Sequence, residues 1–135
     1  MNDYPGVVYV EDDEMSRMVV DILLHEQMQL SNVVIFEDSQ DFIARLDALS
    51  FIPDVILLDI HVKPLNGFQM ISLLQRHPVY SDKPIVALTA SVMNEEVALL
   101  KDAGLDGVFA KPLNEMTFPS MLERILAGEQ IWNIF

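Results

Sequence analysis

The sequence predicts an α/β protein, a three-layer (βα)5 doubly wound sandwich around a five-stranded parallel sheet. Two observations carry this expectation. Short runs rich in Val, Ile and Leu alternate with helical stretches five times along 135 residues. Several of the runs are apolar at consecutive positions, which is how strands covered on both faces of a parallel sheet read. Right-handed crossovers then lay helices on both sides of the sheet.

The candidate strands are Val7–Val10, Val33–Phe36, Asp54–Leu58, Pro84–Leu88 and Gly107–Ala110. Between them apolar residues recur at helical spacing. Met15, Met18, Val19, Ile22 and Leu23 form one stripe, and Phe42, Ile43, Leu46 and Leu49 another. The fourth helix offers Met93, Val97 and Leu100, and the last Met121, Leu122, Ile125 and Leu126. Ser39 and Asn94 are read as helix caps and Gly104 as a C-terminal stop. Pro53 breaks the chain before the third strand. Pro119 is tolerated only in a first helical turn, so the last helix is expected to begin near Thr117.

Composition narrows the function. One domain covering residues 1–135 fits the length, with a core over about 5–127 and an apolar tail over 128–135. No stretch reaches the roughly 18 apolar residues of a membrane span, and the first five residues lack a signal-peptide pattern. Cysteine is absent, which excludes disulfides and thiolate metal sites. The chain therefore reads as a soluble, cytoplasmic protein without a membrane partner. Its net charge of −13, from 21 acidic and 8 basic residues, repels phosphate backbones and argues against direct nucleic-acid binding.

In a sheet of this kind ligands bind beyond the C-terminal strand ends. That rule alone selects Glu11-Asp12-Asp13, Asp59, Thr89 and Lys111. Crowded carboxylates repel one another unless a cation intervenes. With no histidine or cysteine selected beside them, a hard, oxygen-seeking ion such as Mg2+ fits Glu11, Asp12 and Asp59 best. Lysine and threonine beside that ion suit an incoming dianionic group, and a rigidly mounted carboxylate can attack phosphorus to give an acyl phosphate. Asp59 follows the most apolar strand and is the expected phosphoacceptor. Asp13 is read differently, as a charge at the start of the first helix.

The chain resembles the receiver domains of two-component signalling from about Pro5 to Ala127. The resemblance rests on Val-Glu-Asp-Asp-Glu after the first strand, Leu-Leu-Asp59 after the third, Leu-Thr89-Ala after the fourth and Lys111-Pro112 after the fifth. Thr89 lies 30 positions after Asp59, and Lys111 22 after Thr89. The resemblance implies a flavodoxin-like topology and a phosphorylation-dependent switch. Asp59 would take the phosphoryl group from a sensor histidine kinase or a histidine phosphotransfer protein. It implies Asp12 as a direct Mg2+ ligand, Glu11 as a ligand through water, and the backbone carbonyl of His61 as a further ligand. Thr89 and Lys111 would each hold a phosphoryl oxygen, and Arg17 matches a frequent family position. The Lys111–Pro112 bond resembles one that is usually cis. Such a domain assists its own phosphorylation and dephosphorylation without being a conventional enzyme, and its output would be docking to a downstream protein.

The chain also departs from the family pattern. The aromatic residue common three positions before the lysine is Val108 here, and Phe109 must face the other way. After Asp59 the usual methionine-proline is replaced by Val62-Lys63, with proline displaced to Pro64 and Gly67 still at the eighth position. The loop backbone is expected to differ locally, with Lys63 adding a cation near the site. His61 and Ser91 lie two beyond Asp59 and Thr89, where side chains either set the lifetime of the acyl phosphate or simply sit exposed. His25 and His77 are read as exposed. The tail Ile131-Trp132-Asn133-Ile134-Phe135 either packs on its own domain, forms a docking or homodimer contact, or marks a cut before an output domain.

Three other functions compete with this one. An aspartate-nucleophile phosphatase would want a second aspartate where His61 stands. A flavin carrier would want a phosphate-friendly first loop where three acids stand. A phosphorylation-independent interaction module of the same fold has only Val108 in its favour.

Overall fold

A computed structural model describes residues 2–90 and 94–133, the side chains of Asn94 and Asn133 excepted. Six strands form one parallel sheet: β1 Val7–Val10, β2 Val33–Phe36, β3 Val55–Leu58, β4 Ile85–Thr89, β5 Gly107–Ala110 and β6 Ile131–Asn133. Their order is β2-β1-β3-β4-β5-β6, the flavodoxin-like, receiver-type order with one strand added at the edge. The expected five-strand sheet is thus extended. Ile131 and Trp132 complete the ladder that β5 would otherwise leave open, and Ile131 is buried there.

All four residues of β1 and of β3 are fully buried, as continuous apolar runs demand. Burying each such side chain contributes about 1.5–3 kcal/mol. Alternate residues serve opposite layers. Val8, Val10, Ile56, Leu58, Ala87 and Val108 face the core over α2 (Phe42–Asp47), α3 (Gly67–Gln75) and α4 (Asn94–Asp102). Val7, Tyr9, Leu57, Leu88 and Phe109 face the core over α1 (Glu14–Asp21) and α5 (Phe118–Leu126). Val108 and Phe109 therefore do point to opposite faces.

The phase of the first helix differs from expectation. Met15, Met18, Val19 and Ile22 are on the surface, with Met15 67% and Met18 53% exposed, while Val20, Leu23 and Leu24 face the sheet. Both sides of this helix are apolar, so a 3.6-residue period does not choose between them. From Ile22 to Gln27 the backbone becomes π-helical, with the Met28 N–H reaching the Leu23 carbonyl. That wider turn shifts the phase again.

Ser39 is not a helix cap. Asp41, at a left-handed φ of 49°, precedes α2 instead. The buried Ser39 hydroxyl donates to the Leu65 carbonyl at 2.6 Å and accepts from the Leu65 N–H at 2.7 Å. Gly104 does end α4 with φ of 90°, and α5 begins after Thr117 with Pro119 in its first turn. Asn94 opens α4, but its expected cap, like Met93, Ile134 and Phe135, lies outside the described residues or side chains. His25 and His77 are half-buried rather than exposed: His77 lies 3.0 Å from Asp47 and His25 beside Asp21. Among the described residues no helix is long and apolar enough to cross a membrane.

Candidate functional site

The order of the strands decides what meets what. Val10 pairs with Leu58, so Glu11 and Asp59 leave adjacent strand ends together. Thr89 pairs with Ala110, and the Lys111 N–H donates to the Thr89 carbonyl at 2.9 Å. Residues distant in sequence thereby share one end of the sheet, at the switch point where the order reverses between β1 and β3.

Carboxylate oxygens of Glu11, Asp12 and Asp59 all lie within 4.8 Å of one another. Glu11 and Asp59 are buried, whereas Asp12 is exposed. Like charges this close repel, and among the described residues Lys111 is the cation whose ion pairs oppose that repulsion. The Lys111 ammonium contacts Glu11 Oε1 and lies 3.6 Å from Asp59 Oδ2. Its peptide bond to Pro112 is cis, as the resemblance implied, and so is Lys63–Pro64. Thr89 is buried at the end of β4.

Other residues hold this arrangement. The Arg17 guanidinium donates to the Glu11 carbonyl at 3.0 Å. Asp13 accepts from the Ser16 hydroxyl at 2.7 Å and the Ser16 N–H at 2.9 Å, capping α1. Those two bonds hold its carboxyl below the usual range. The His61 N–H donates to Asp59 Oδ1 at 3.2 Å, and its exposed ring reaches to 3.4 Å from Glu96 of α4. Lys63 is exposed, and the cation that meets the carboxylates is Lys111. The loop after Asp59 folds tightly onto α3. A Cβ at Gly67 would sit 2.9 Å from the Ile60 Cα, so only glycine fits there. Ser91 lies outside the described residues.

One contributor was not anticipated. The Tyr9 hydroxyl donates to Glu11 Oε1 at 2.7 Å from a fully buried position in β1. Burial, then the bond to Glu11, pushes the Tyr9 hydroxyl above its ordinary pKa, so it stays a donor. Burial, then Asp59, pushes the Glu11 carboxyl up, while Lys111 and Tyr9 pull it down. A tyrosine in an apolar strand ordinarily signals β propensity alone. Its place two residues before a buried acid, on the same strand face, was the available clue.

Chemically, the site offers three hard oxygen donors, a hydroxyl and an ammonium. That set suits a divalent cation and a dianionic group together.

The chain is similar to known proteins over most of its length. The family model "Response regulator receiver domain" matches residues 7–123. The signal transduction histidine-protein kinase BarA of Escherichia coli is 26% identical over 125 residues, 93% of this chain but 13% of that protein. A nitrate/nitrite response regulator protein homolog of Haemophilus influenzae is 37% identical over 84 residues, 62% of this chain and 39% of that one. The chain thus spans only a fraction of these relatives. Among solved structures, the chemotaxis response regulator CheY4 of Vibrio cholerae superposes with a TM-score of 0.76 at 27% identity, covering 89% of this chain and 97% of CheY4.

Proposed function

Since that match spans most of its length, the chain belongs to the response regulator receiver domain family of two-component systems, and we propose that Asp59 is its phosphoacceptor. The observation that carries this reading is the convergence of Glu11, Asp12 and Asp59 within 4.8 Å, with Lys111 3.6 Å from Asp59. A buried carboxylate between a metal-type acidic cluster and an ammonium is what an aspartyl nucleophile needs.

The donor set fits Mg2+: all three side chains offer carboxylate oxygens, and the exposure of Asp12 leaves room for coordinated water. Asp12 and Asp59 would hold the ion directly, Glu11 through water, and the His61 carbonyl would complete the protein's share. When bound, the ion neutralises charge on the phosphoryl oxygens. The remaining work falls to the chain. Asp59 presents a carboxylate oxygen to phosphorus. The new O–P bond forms as the donor's P–N bond breaks, and the electron pair returns to the donor imidazole. Lys111 leaves the carboxylates to pair with one phosphoryl oxygen, and Thr89 donates a hydrogen bond to another.

A phosphohistidine donor, from a sensor kinase or a histidine phosphotransfer protein, suits this chemistry, and BarA is by its name a histidine-protein kinase. The output is a changed docking surface for a downstream protein in the cytoplasm. The domain assists its own phosphorylation and dephosphorylation and turns over no separate substrate. Val108 is buried among apolar residues, so the change runs without an aromatic ring at that position.

Intact mass after incubation with acetyl phosphate tests the reading. A gain of one phosphoryl group that needs Mg2+ and disappears in Asp59→Asn is expected. No gain, from this donor or from a phosphorylated histidine phosphotransfer protein, would leave a phosphorylation-independent interaction module as the better account.

A further inference from the structure

Glu11 is wholly buried, and two donors converge on one of its oxygens. Oε1 takes the Tyr9 hydroxyl at 2.7 Å and the Lys111 ammonium, while Oε2 accepts from the Asp13 N–H at 3.3 Å. The two donors on Oε1 differ in kind. Lys111 brings a full positive charge, also lies near Asp59, and so opposes a cation at the same carboxylates. Tyr9 brings a dipole without net charge. It directs Glu11 yet leaves the carboxylate's charge available to a cation.

They differ in mobility as well. The Tyr9 backbone sits in register between Ile35 of β2 and Leu57 of β3, and its ring is fully buried. Lys111 and Tyr9 both border a cavity of about 290 Å³ between α1 and the segment after β5, but only the Lys111 side chain, 16% exposed, reaches solvent and is free to move. If Lys111 leaves for a phosphoryl oxygen, a buried Oε1 without another donor would be left unpaired, at a substantial desolvation cost. Tyr9 remains in place to prevent that.

We propose that Tyr9 is a positioning residue that keeps Glu11 oriented and hydrogen-bonded while Lys111 moves between the carboxylates and the phosphoryl group, and that its hydroxyl thereby raises the site's affinity for Mg2+. The inference rests on the phosphoacceptor reading above.

Titration calorimetry with Mg2+ on the full chain tests it, using wild type, Tyr9→Phe, Lys111→Ala and the double variant. Outer partners of metal-binding side chains typically matter by 10–100-fold in affinity, so Tyr9→Phe is expected to weaken Mg2+ binding about tenfold. Lys111→Ala should tighten it by removing the competing charge. In that background Tyr9→Phe should cost more than it does in wild type, because no side chain then orients Oε1 toward the water through which Glu11 would meet the ion. A merely structural role would give the same loss in both backgrounds, and that result, or no loss in either, overturns the proposal. Should Tyr9→Phe fail to fold, proton NMR of the wild type decides. The Tyr9 hydroxyl proton must stay hydrogen-bonded through titration with Mg2+ and beryllium fluoride, and its loss overturns the proposal. The acetyl phosphate experiment separates the two readings. A wild type that neither binds Mg2+ nor gains a phosphoryl group ends both, whereas one that does both beside a silent Tyr9→Phe ends this inference alone.

Discussion

Gly107 offers the sharpest test of how β6 is held. It faces Ile131 across the β5–β6 ladder, and a Cβ added to it would lie 2.3 Å from the Ile131 carbonyl oxygen and 3.2 Å from Ile125 Cδ1. Ordinary carbon–oxygen contacts are about 3.3–3.6 Å, so Gly107→Ala requires a shift of about 1 Å in a ladder carbonyl. The easiest escape is for β6 to leave. Leaving gives up the burial of Ile131 and part of Trp132, about 4 kcal/mol together. It also gives up ladder hydrogen bonds at about 1 kcal/mol each and the Lys101 ammonium 4.9 Å from the Trp132 ring, about 0.5 kcal/mol. Against this, three freed residues regain about 1–2 kcal/mol each of backbone entropy. The difference is about 1–4 kcal/mol, so β6 detaches locally at the cost of a modest part of the overall stability. Trp132 is the sole tryptophan of the chain and reports on β6 alone. Expected for Gly107→Ala are red-shifted emission and greater acrylamide quenching, with near-native circular dichroism and a slightly lower urea midpoint. Wild-type emission and quenching in the variant would refute the reasoning.

Two further predictions concern loops and pH. Ser39→Ala leaves the Leu65 N–H and carbonyl without their buried partner, so unfolding free energy in urea should drop by about 1–3 kcal/mol; a change much below that would mean water replaces the hydroxyl. Burial holds the Asp106 carboxyl above its ordinary range, against the pull of the Ile85 N–H it accepts at 2.9 Å. The folded state therefore keeps that proton to higher pH than the unfolded chain, and the associated stability declines as pH rises from the unfolded value through the folded one. Asp106→Asn, neutral throughout, should flatten that decline between mildly acid and neutral pH in urea midpoints; parallel profiles for the two proteins would contradict it.

The strands and the four loops carrying the site were legible because consecutive apolar runs leave little freedom in a parallel sheet. Glu11, Asp12, Asp59, Thr89 and Lys111 follow from the strand-end rule, and the register brings all five to one end of the sheet. The first helix was misread at four of its five stripe positions, Leu23 alone being buried as expected, because Met15, Met18, Val19 and Ile22 are as apolar as Val20 and Leu24. Only packing against the sheet chooses between them. Ser39 has the composition of a cap but finds better partners at Leu65, across a contact 26 residues away that no local pattern encodes. Ile131-Trp132 is too short to show a period, so a sixth strand and a surface contact read alike. Tyr9 was hidden by its own suitability for a strand.

The crowding of three carboxylates at the sheet's end has an evolutionary consequence. In the unfolded chain Asp59 is far from Glu11 and Asp12, so their repulsion arises only on folding, offset in part by Lys111. Replacing one of them with its amide removes charge while keeping shape, and such a change is expected to make the fold sturdier as it makes the site inert. Random drift would therefore find the neutral forms readily, with folding offering no resistance. A lineage that stopped using the site would be expected to lose its acids first and its scaffold last.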